Sequence, residues 1–341
     1  MNDLFAQFGP SLMSPMVLAF VLGLVAALLR SDLRLPEPFY AAMTIYLLFG
    51  IGLKGGAKLD GVALGEFLRP ATVALGLCLA IPLWSYALLH RIGRLGRADA
   101  AAVAAHYGSV SVVTFGAGVA YLDARGVAHE GYMPALLALM EVPGILMALV
   151  LARLSAVRPA VPVVPAGALG FVPAGDGRAW GKVFHELFAS KGILLLVGGL
   201  LIGLVSGPSG YAQVGPFFDT PFRGVLTLFL LELGLVAGAR LREIRAAGPF
   251  LVGFALVMPL LHGVLGVVAG HAVGLSLGGA ALLGTLAASA SYIAAPAAVR
   301  LALPEANPAY YLTASLAVTF PLNVLVGIPV YAAFAAWLYA A

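Results

Sequence analysis

The 341-residue chain has one cysteine, Cys78, and only 10% charged residues. A single thiol excludes an intrachain disulfide and a thiolate metal cluster, so cysteine usage carries no information on redox compartment. The scarcity of charge excludes a soluble protein of ordinary composition, in which about a quarter of residues are charged. No HExxH, GxSxG or Walker sequence occurs, so intramembrane hydrolysis and nucleotide-driven pumping find no support and an enzyme is not expected. Lys and Arg are missing from both tails, and Met1-Asn2-Asp3 offers no positive n-region. The first apolar run is therefore expected to be a retained span and not a signal peptide.

What is present is apolar: 62% hydrophobic residues and a mean hydropathy of +1.01. A membrane-spanning helix needs about 20 mostly apolar residues. Ten such runs can be placed, centred near residues 21, 46, 79, 112, 143, 198, 230, 259, 288 and 325, five in each half. The 42 glycines and 22 prolines suit closely packed and interrupted membrane helices, where small residues allow backbones to approach and neighbours satisfy freed backbone groups.

The basic residues follow the loops. Arg30 and Arg34, Arg91, Arg94 and Arg97, the stretch from Arg153 to Lys191, Arg240, Arg242 and Arg245, and Arg300 fall in alternate connections. Lys54, Lys58, Arg69, Arg125 and Arg223 occupy the others. By the positive-inside rule the rich loops are cytoplasmic and both termini lie outside. The net charge of +4 is explained by this asymmetry, so no nucleic-acid partner is expected. Membrane lipid is the expected surrounding.

Segments recur at an offset of about 180 residues. Ile51-Gly-Leu-Lys-Gly-Gly-Ala-Lys58-Leu59 is echoed by Leu233-Gly-Leu-Val-Ala-Gly-Ala-Arg240-Leu241, and Met140-Glu141-Val-Pro143 by Val318-Thr319-Phe-Pro321. Gly108-Ser109-Val110-Ser111 returns as Ala288-Ser289-Ala290-Ser291. Five spans is an odd number, so the second unit must enter the membrane from the opposite side. The expected fold is an all-α integral membrane protein with ten transmembrane helices in two inverted five-helix repeats. Residues 1–155 form the first repeat and 191–341 the second, joined by a cytoplasmic Pro/Gly-rich linker over 156–190. Within it Trp180 to Phe188 reads as a short amphipathic surface helix.

Ser109, Ser111 and Thr114 in span 4, and Ser289 and Ser291 in span 9, sit near the middle of their runs. If both helices break there, opposed helix N-termini and exposed amides make an anion site at the midplane, and freed carbonyls can hold Na+. The same serine spacing also serves close helix packing with the hydroxyls bonded to their own backbone. Glu141, deep in span 5, is costly to bury and is a candidate cation ligand or proton carrier, or else a structural carboxyl beside the Pro143 kink. Thr319 occupies the matching place in the second half. Asn323 offers donors and acceptors to an ion or to backbone. Glu232 reads as a packing or interface residue, and His106 and His262 as satisfied interior histidines.

Pro36-Glu37, Ile51-Gly-Leu-Lys-Gly-Gly56, Gly108-Ser-Val-Ser111, Pro221-Phe-Arg-Gly224, Ser276-Leu-Gly-Gly279, Ala288-Ser-Ala-Ser291 and Arg300-Leu-Ala-Leu-Pro304-Glu-Ala-Asn-Pro308 together resemble the sodium-dependent bicarbonate transporter superfamily, over nearly the whole chain. The resemblance implies a gate domain, a core domain with crossed discontinuous helices 4 and 9, elevator motion and a homotrimer. By motif it makes Ser109, Ser111, Ser289 and Ser291 the anion and sodium site; with their neighbours the expected substrate-binding residues are Ser109, Val110, Ser111, Ser289, Ala290, Ser291 and Tyr292, and the polar residues Thr114, Glu141, Thr319 and Asn323 are the ion-binding candidates. Na+ is the coupling ion, near Ser111, Ser291 and Glu141, with no other cofactor. It also implies a bacterial inner-membrane location and a PII-like cytoplasmic regulator. The chain departs from the cyanobacterial Ser-Asp-Ile-Ser-Gly-Pro-Pro pattern at Ser291-Tyr292-Ile-Ala-Ala-Pro296-Ala297, where Tyr292 replaces a carboxylate. Two further readings therefore stay open: a small organic carboxylate as cargo, or a membrane sensor that moves no solute.

Overall fold

The computed structural model describes residues 13–156 and 177–340, and every regular element among them is a helix. The expected linker over 156–190 thus lies partly outside the described residues, and its last third is helical. The first half contains α1 (Pro15–Leu28), α2 (Glu37–Leu59), α3 (Leu64–Ala87), α4 (Arg97–Gly108), α5 (Val112–Asp123), α6 (Met133–Met140) and α7 (Pro143–Ala156). α8 (Gly177–Phe188) follows, then α9 (Lys191–Asp219), α10 (Phe222–Arg240), α11 (Ile244–Ala272), α12 (Leu277–Ala288) and α13 (Ala295–Ala302). α14 (Pro308–Leu312), α15 (Phe320–Leu322) and α16 (Ile328–Ala340) form the last run, joined by π-helical turns at Thr313–Thr319 and Asn323–Gly327.

Among the described residues, eight helical runs are long and apolar enough to cross a membrane. The other two expected spans fall on the shorter apolar helices Pro15–Leu28 and Leu277–Ala288. Span 9 falls short because α12 stops at Ala288 and helix resumes only at Ala295. Large apolar side chains cover the outer surface, among them Leu194, Val205 (87% exposed) and Trp337, as a lipid-facing surface requires. The expected amphipathic helix is α8, which buries Val183 and Leu187 and stacks the exposed Phe184 and Phe188 rings 6.3 Å apart.

The helices sort into two bundles. In one, α1 packs along α10 and α2 along α9; in the other, α3, α4, α7, α11, α12 and α16 pack together. The polar contacts of the first lie toward one end, where Tyr46 donates to the Phe217 carbonyl and Lys54 pairs with Asp219; the rest is apolar, and in lipid, apolar surface alone gives helices little reason to associate. Close backbone contact supplies the attraction. A Cβ at Gly52 or Gly56 would run into the carbonyl of Leu196 or Leu200 on α9. A Cβ at Gly234 would meet the Phe20 carbonyl, and one at Gly238 the Ala27 Cβ at 2.7 Å. Gly52 and Gly56 correspond to Gly234 and Gly238 in the echoed segments, so that echo is a helix-packing seam. Phe20, Met43, Leu47 and Phe229 of the first bundle meet Val113, Leu316 and Phe320 of the second in a shared apolar cluster.

Candidate functional site

The site grows out of two interrupted helices. α4 ends at Gly108, Ser109–Ser111 are extended, and α5 begins at Val112 with Ser111 as its N-cap: the Ser111 hydroxyl oxygen accepts from the Thr114 amide at 3.2 Å. α12 ends at Ala288, and the chain stays non-helical until Ala295, whose amide donates to the Ser291 hydroxyl at 3.3 Å. Short polar side chains compete with helix for these backbone groups, which explains why Ser at both positions marks a break.

The two breaks are hydrogen-bonded to each other. The Ser111 amide donates to the Ser289 hydroxyl at 2.9 Å, and the Ser291 amide donates to the His106 carbonyl at 2.8 Å. The Ser109 hydroxyl donates to the Glu141 carbonyl at 2.6 Å and the Ser289 hydroxyl to the Leu286 carbonyl at 2.8 Å. All four serines are buried. Ser109 and Ser289 thus hold backbone, whereas Ser111 and Ser291 each keep a hydroxyl beside open space.

That space is a cavity of about 10 Å³ lined by Val110, Ser111, Glu141, Ser291, Tyr292 and, from α2, Leu48. It holds about one water-sized sphere. Glu141 is the carboxyl side chain lining it, is 5% exposed, and accepts no hydrogen bond from a described residue. A buried carboxylate without donors is costly unless it is protonated or faces a cation. Its neighbours are hydroxyls and the first amides of α5; helix N-terminal amides are donors that suit an anion, and hydroxyl and carboxylate oxygens suit a hard cation. The Tyr292 hydroxyl lies beside the Ser111 side chain, buried and without a partner in hydrogen-bond geometry, and its ring packs edge-on against Phe320 at 5.4 Å.

Other expected site residues lie away from the cavity. The Thr319 hydroxyl donates to the Ala255 carbonyl at 2.8 Å, which leaves the Tyr107 hydroxyl to donate to Thr319 at 2.6 Å. Asn323 donates from Nδ2 to the Ala288 carbonyl at 2.8 Å, capping α12, and its Oδ1 accepts from Tyr331 at 2.8 Å. Thr114 and Ala290 are buried outside the lining. The expectation that His106 and His262 are satisfied needs correction. His106 Nδ1 donates to the Ala102 carbonyl and His262 Nε2 accepts from Trp84, but His106 Nε2 and His262 Nδ1 are buried without partners. Glu232 likewise keeps one buried oxygen unpaired. Leu48 and Ile293 escaped the sequence reading because an apolar residue in an apolar run gives no signal of facing a cavity.

Among the described residues no group of three His, Cys, Asp or Glu side chains converges as a metal site, so a cation here depends on hydroxyl and carbonyl oxygens with Glu141. No individual curated protein matches the chain. The sequence pattern of the Na+-dependent bicarbonate transporter superfamily matches residues 15–336. With both breaks, their mutual hydrogen bonds and nearly the whole chain inside that match, the protein belongs to the Na+-dependent bicarbonate transporter superfamily and is a multi-pass membrane protein.

Proposed function

We propose that the protein takes up bicarbonate with Na+, holding the anion between the breaks in spans 4 and 9. The observation that carries this reading is the single small cavity where Ser111, Ser291, the first turn of α5 and an unpaired Glu141 converge. Amides and hydroxyls suit the anion, while Glu141 and freed carbonyl oxygens suit the cation. Binding the two together offsets part of the desolvation cost of each. A cavity of about 10 Å³ must widen to admit even a four-atom anion, and this favours a small cargo over a larger organic carboxylate.

The two bundles support elevator motion, with the bundle of spans 3, 4, 5, 8, 9 and 10 carrying the site past that of spans 1, 2, 6 and 7. Helix pairing supports inverted repeats: span 1 with 7 and span 2 with 6 are the same contact under a shift of five, as are α3 with α4 and α11 with α12. The reading includes both termini outside the bacterial inner membrane, a homotrimer and a PII-like cytoplasmic regulator.

Labelled bicarbonate uptake into proteoliposomes at fixed pH, with and without an inward Na+ gradient, tests it. Uptake that requires Na+ and is lost in both Ser111→Ala and Ser291→Ala, with folding retained, is the expected outcome. Normal uptake by both variants overturns the site; no uptake by the wild type under either condition overturns the cargo.

A further inference from the structure

A concentration of charge lies away from the serine breaks, around a cavity of about 330 Å³ between the two bundles. The last turns of α2 bring Lys54 and Lys58, the end of α5 Asp123, the following loop His129, the end of α9 Asp219 and the start of α10 Arg223. Lys54 pairs with Asp219 at 2.9 Å, and Asp123 faces His129 at 3.4 Å and Arg223 at 3.9 Å. Lys58 makes no ion pair with a described residue, and its stem lies over Gly131. Three fixed cations therefore face two carboxylates, leaving the basin positive before His129 is counted.

The basin also leads somewhere. It shares Ile51, Gly116 and Phe222 with a constriction of about 10 Å³, and that constriction shares Leu48, Val112 and Ile293 with the cavity at the breaks. The three spaces thus lie in sequence along the seam between the bundles, each sharing wall residues with the next. The Lys54 and Arg223 side chains at its wide end are half exposed, so that end meets water, on the face opposite the arginine-rich loops.

We propose that the basin is a collecting subsite for a small oxyanion, in which Lys58 with Lys54 and Arg223 gathers the anion from water and delivers it along the seam toward Ser111 and Ser291. Its purpose rests on the transport reading above; its affinity for anions does not. Exposed ion pairs are weak, so an arriving monoanion competes with Asp219 for Lys54 and with Asp123 for Arg223, while Lys58 is free at the outset. A cleft with a net positive charge raises the local concentration of anions, and the effect falls with ionic strength because the Debye length is about 8 Å at physiological salt.

The test separates the basin from the transport reading. Val119 lines the basin and the native Cys78 is buried, so a Val119→Cys variant reports reactivity there. Anionic and cationic methanethiosulfonate reagents are compared on this thiol and on a free thiol in the same buffer. The expected result is an anion-to-cation rate ratio about tenfold above that of the free thiol, reduced by added Lys58→Glu and by 1 M salt. A ratio equal to the free thiol's, or labelling by neither reagent, overturns the proposal even if uptake is normal. Where uptake is measurable, Lys58→Glu is expected to raise KM for bicarbonate several-fold at unchanged kcat, and aminoethylation of Lys58→Cys to restore it. A fall in kcat at unchanged KM assigns Lys58 to the conformational step and overturns anion collection.

Discussion

The breaks in spans 4 and 9 have the same outline and are held by different chemistry. The first is three residues long and is held from behind by a buried thiol and by close backbone packing. The Cys78 thiol reaches the Gly108 carbonyl at 3.0 Å and the Met140 carbonyl at 3.1 Å, and Gly144 lies so close that a Cβ there would strike the Gly108 carbonyl. The second is six residues long and held by side chains, with Asn323 on the Ala288 carbonyl and Tyr331 on Asn323. Glu141, whose carbonyl the first break binds through Ser109, brings a carboxyl group to the cavity, and the second break brings the Tyr292 phenol. The two breaks thus share an outline while differing in chemistry: one half supplies a carboxyl group, the other a neutral hydrogen-bonded support.

The largest effect should come from filling the close approach behind the first break. Gly144→Leu forces the α4 and α7 backbones apart and is expected to cost about 3 kcal/mol, the upper part of the range for overpacking, read as a loss of thermal stability in detergent. The matching residue in the second half is already Leu322, so Leu322→Ala should do far less. Equal losses would mean that the halves are packed alike.

Removing the unshared charge comes next. Glu141→Gln deletes one charge-assisted ligand worth about 1.5–3 kcal/mol, hence a fall in Na+-driven uptake of about 10- to 100-fold with melting unchanged. Thr319→Val, which breaks the Tyr107 and Ala255 hydrogen bonds, should lower melting and leave the Na+ dependence of the folded protein intact. Asn323→Ala leaves the Ala288 carbonyl and the Tyr331 hydroxyl without this partner and should cost about 2 kcal/mol of stability. Ser111→Ala removes a helix N-cap worth about 1 kcal/mol. Ser291→Ala should cost less stability, because Ser291 is not the N-cap of α13.

The smallest effect lies in the basin. Its hydrogen bond to Asp123 raises the His129 pKa above the ordinary value of 6.5, with Glu130 adding in the same direction; Arg223 and Lys54 also face Asp123. A raised folded-state pKa means that the contribution to stability is complete below about 6.5 and is lost as pH rises through the folded value. Melting of the wild type should therefore fall slightly as pH rises above about 6.5, relative to His129→Gln; parallel pH profiles would remove His129 from the basin's electrostatics.

Much of the fold was legible because lipid imposes a simple rule on sequence: long apolar runs, alternating basic loops and breaks marked by Ser-x-Ser. The serine pairs, Glu141 and Tyr292 were legible as polar groups where polarity is costly. The role of Asn323 was not, since an amide in an apolar run has the same appearance whether it faces an ion or caps a helix. Thr319 likewise matched Glu141 in position but turned to Ala255 and Tyr107.

The sequence by itself determined that the chain is a helical membrane protein with paired polar interruptions, because apolar run length and the spacing of polar residues are local properties. Only the tertiary structure decided that Ser111 and Ser291 border a cavity while Ser109 and Ser289 bind backbone. It alone joined Lys58, Arg223 and Asp123 around one basin. Those outcomes depend on which groups meet across helices far apart in the chain, and each buried polar group turns to whichever partner that packing places within reach.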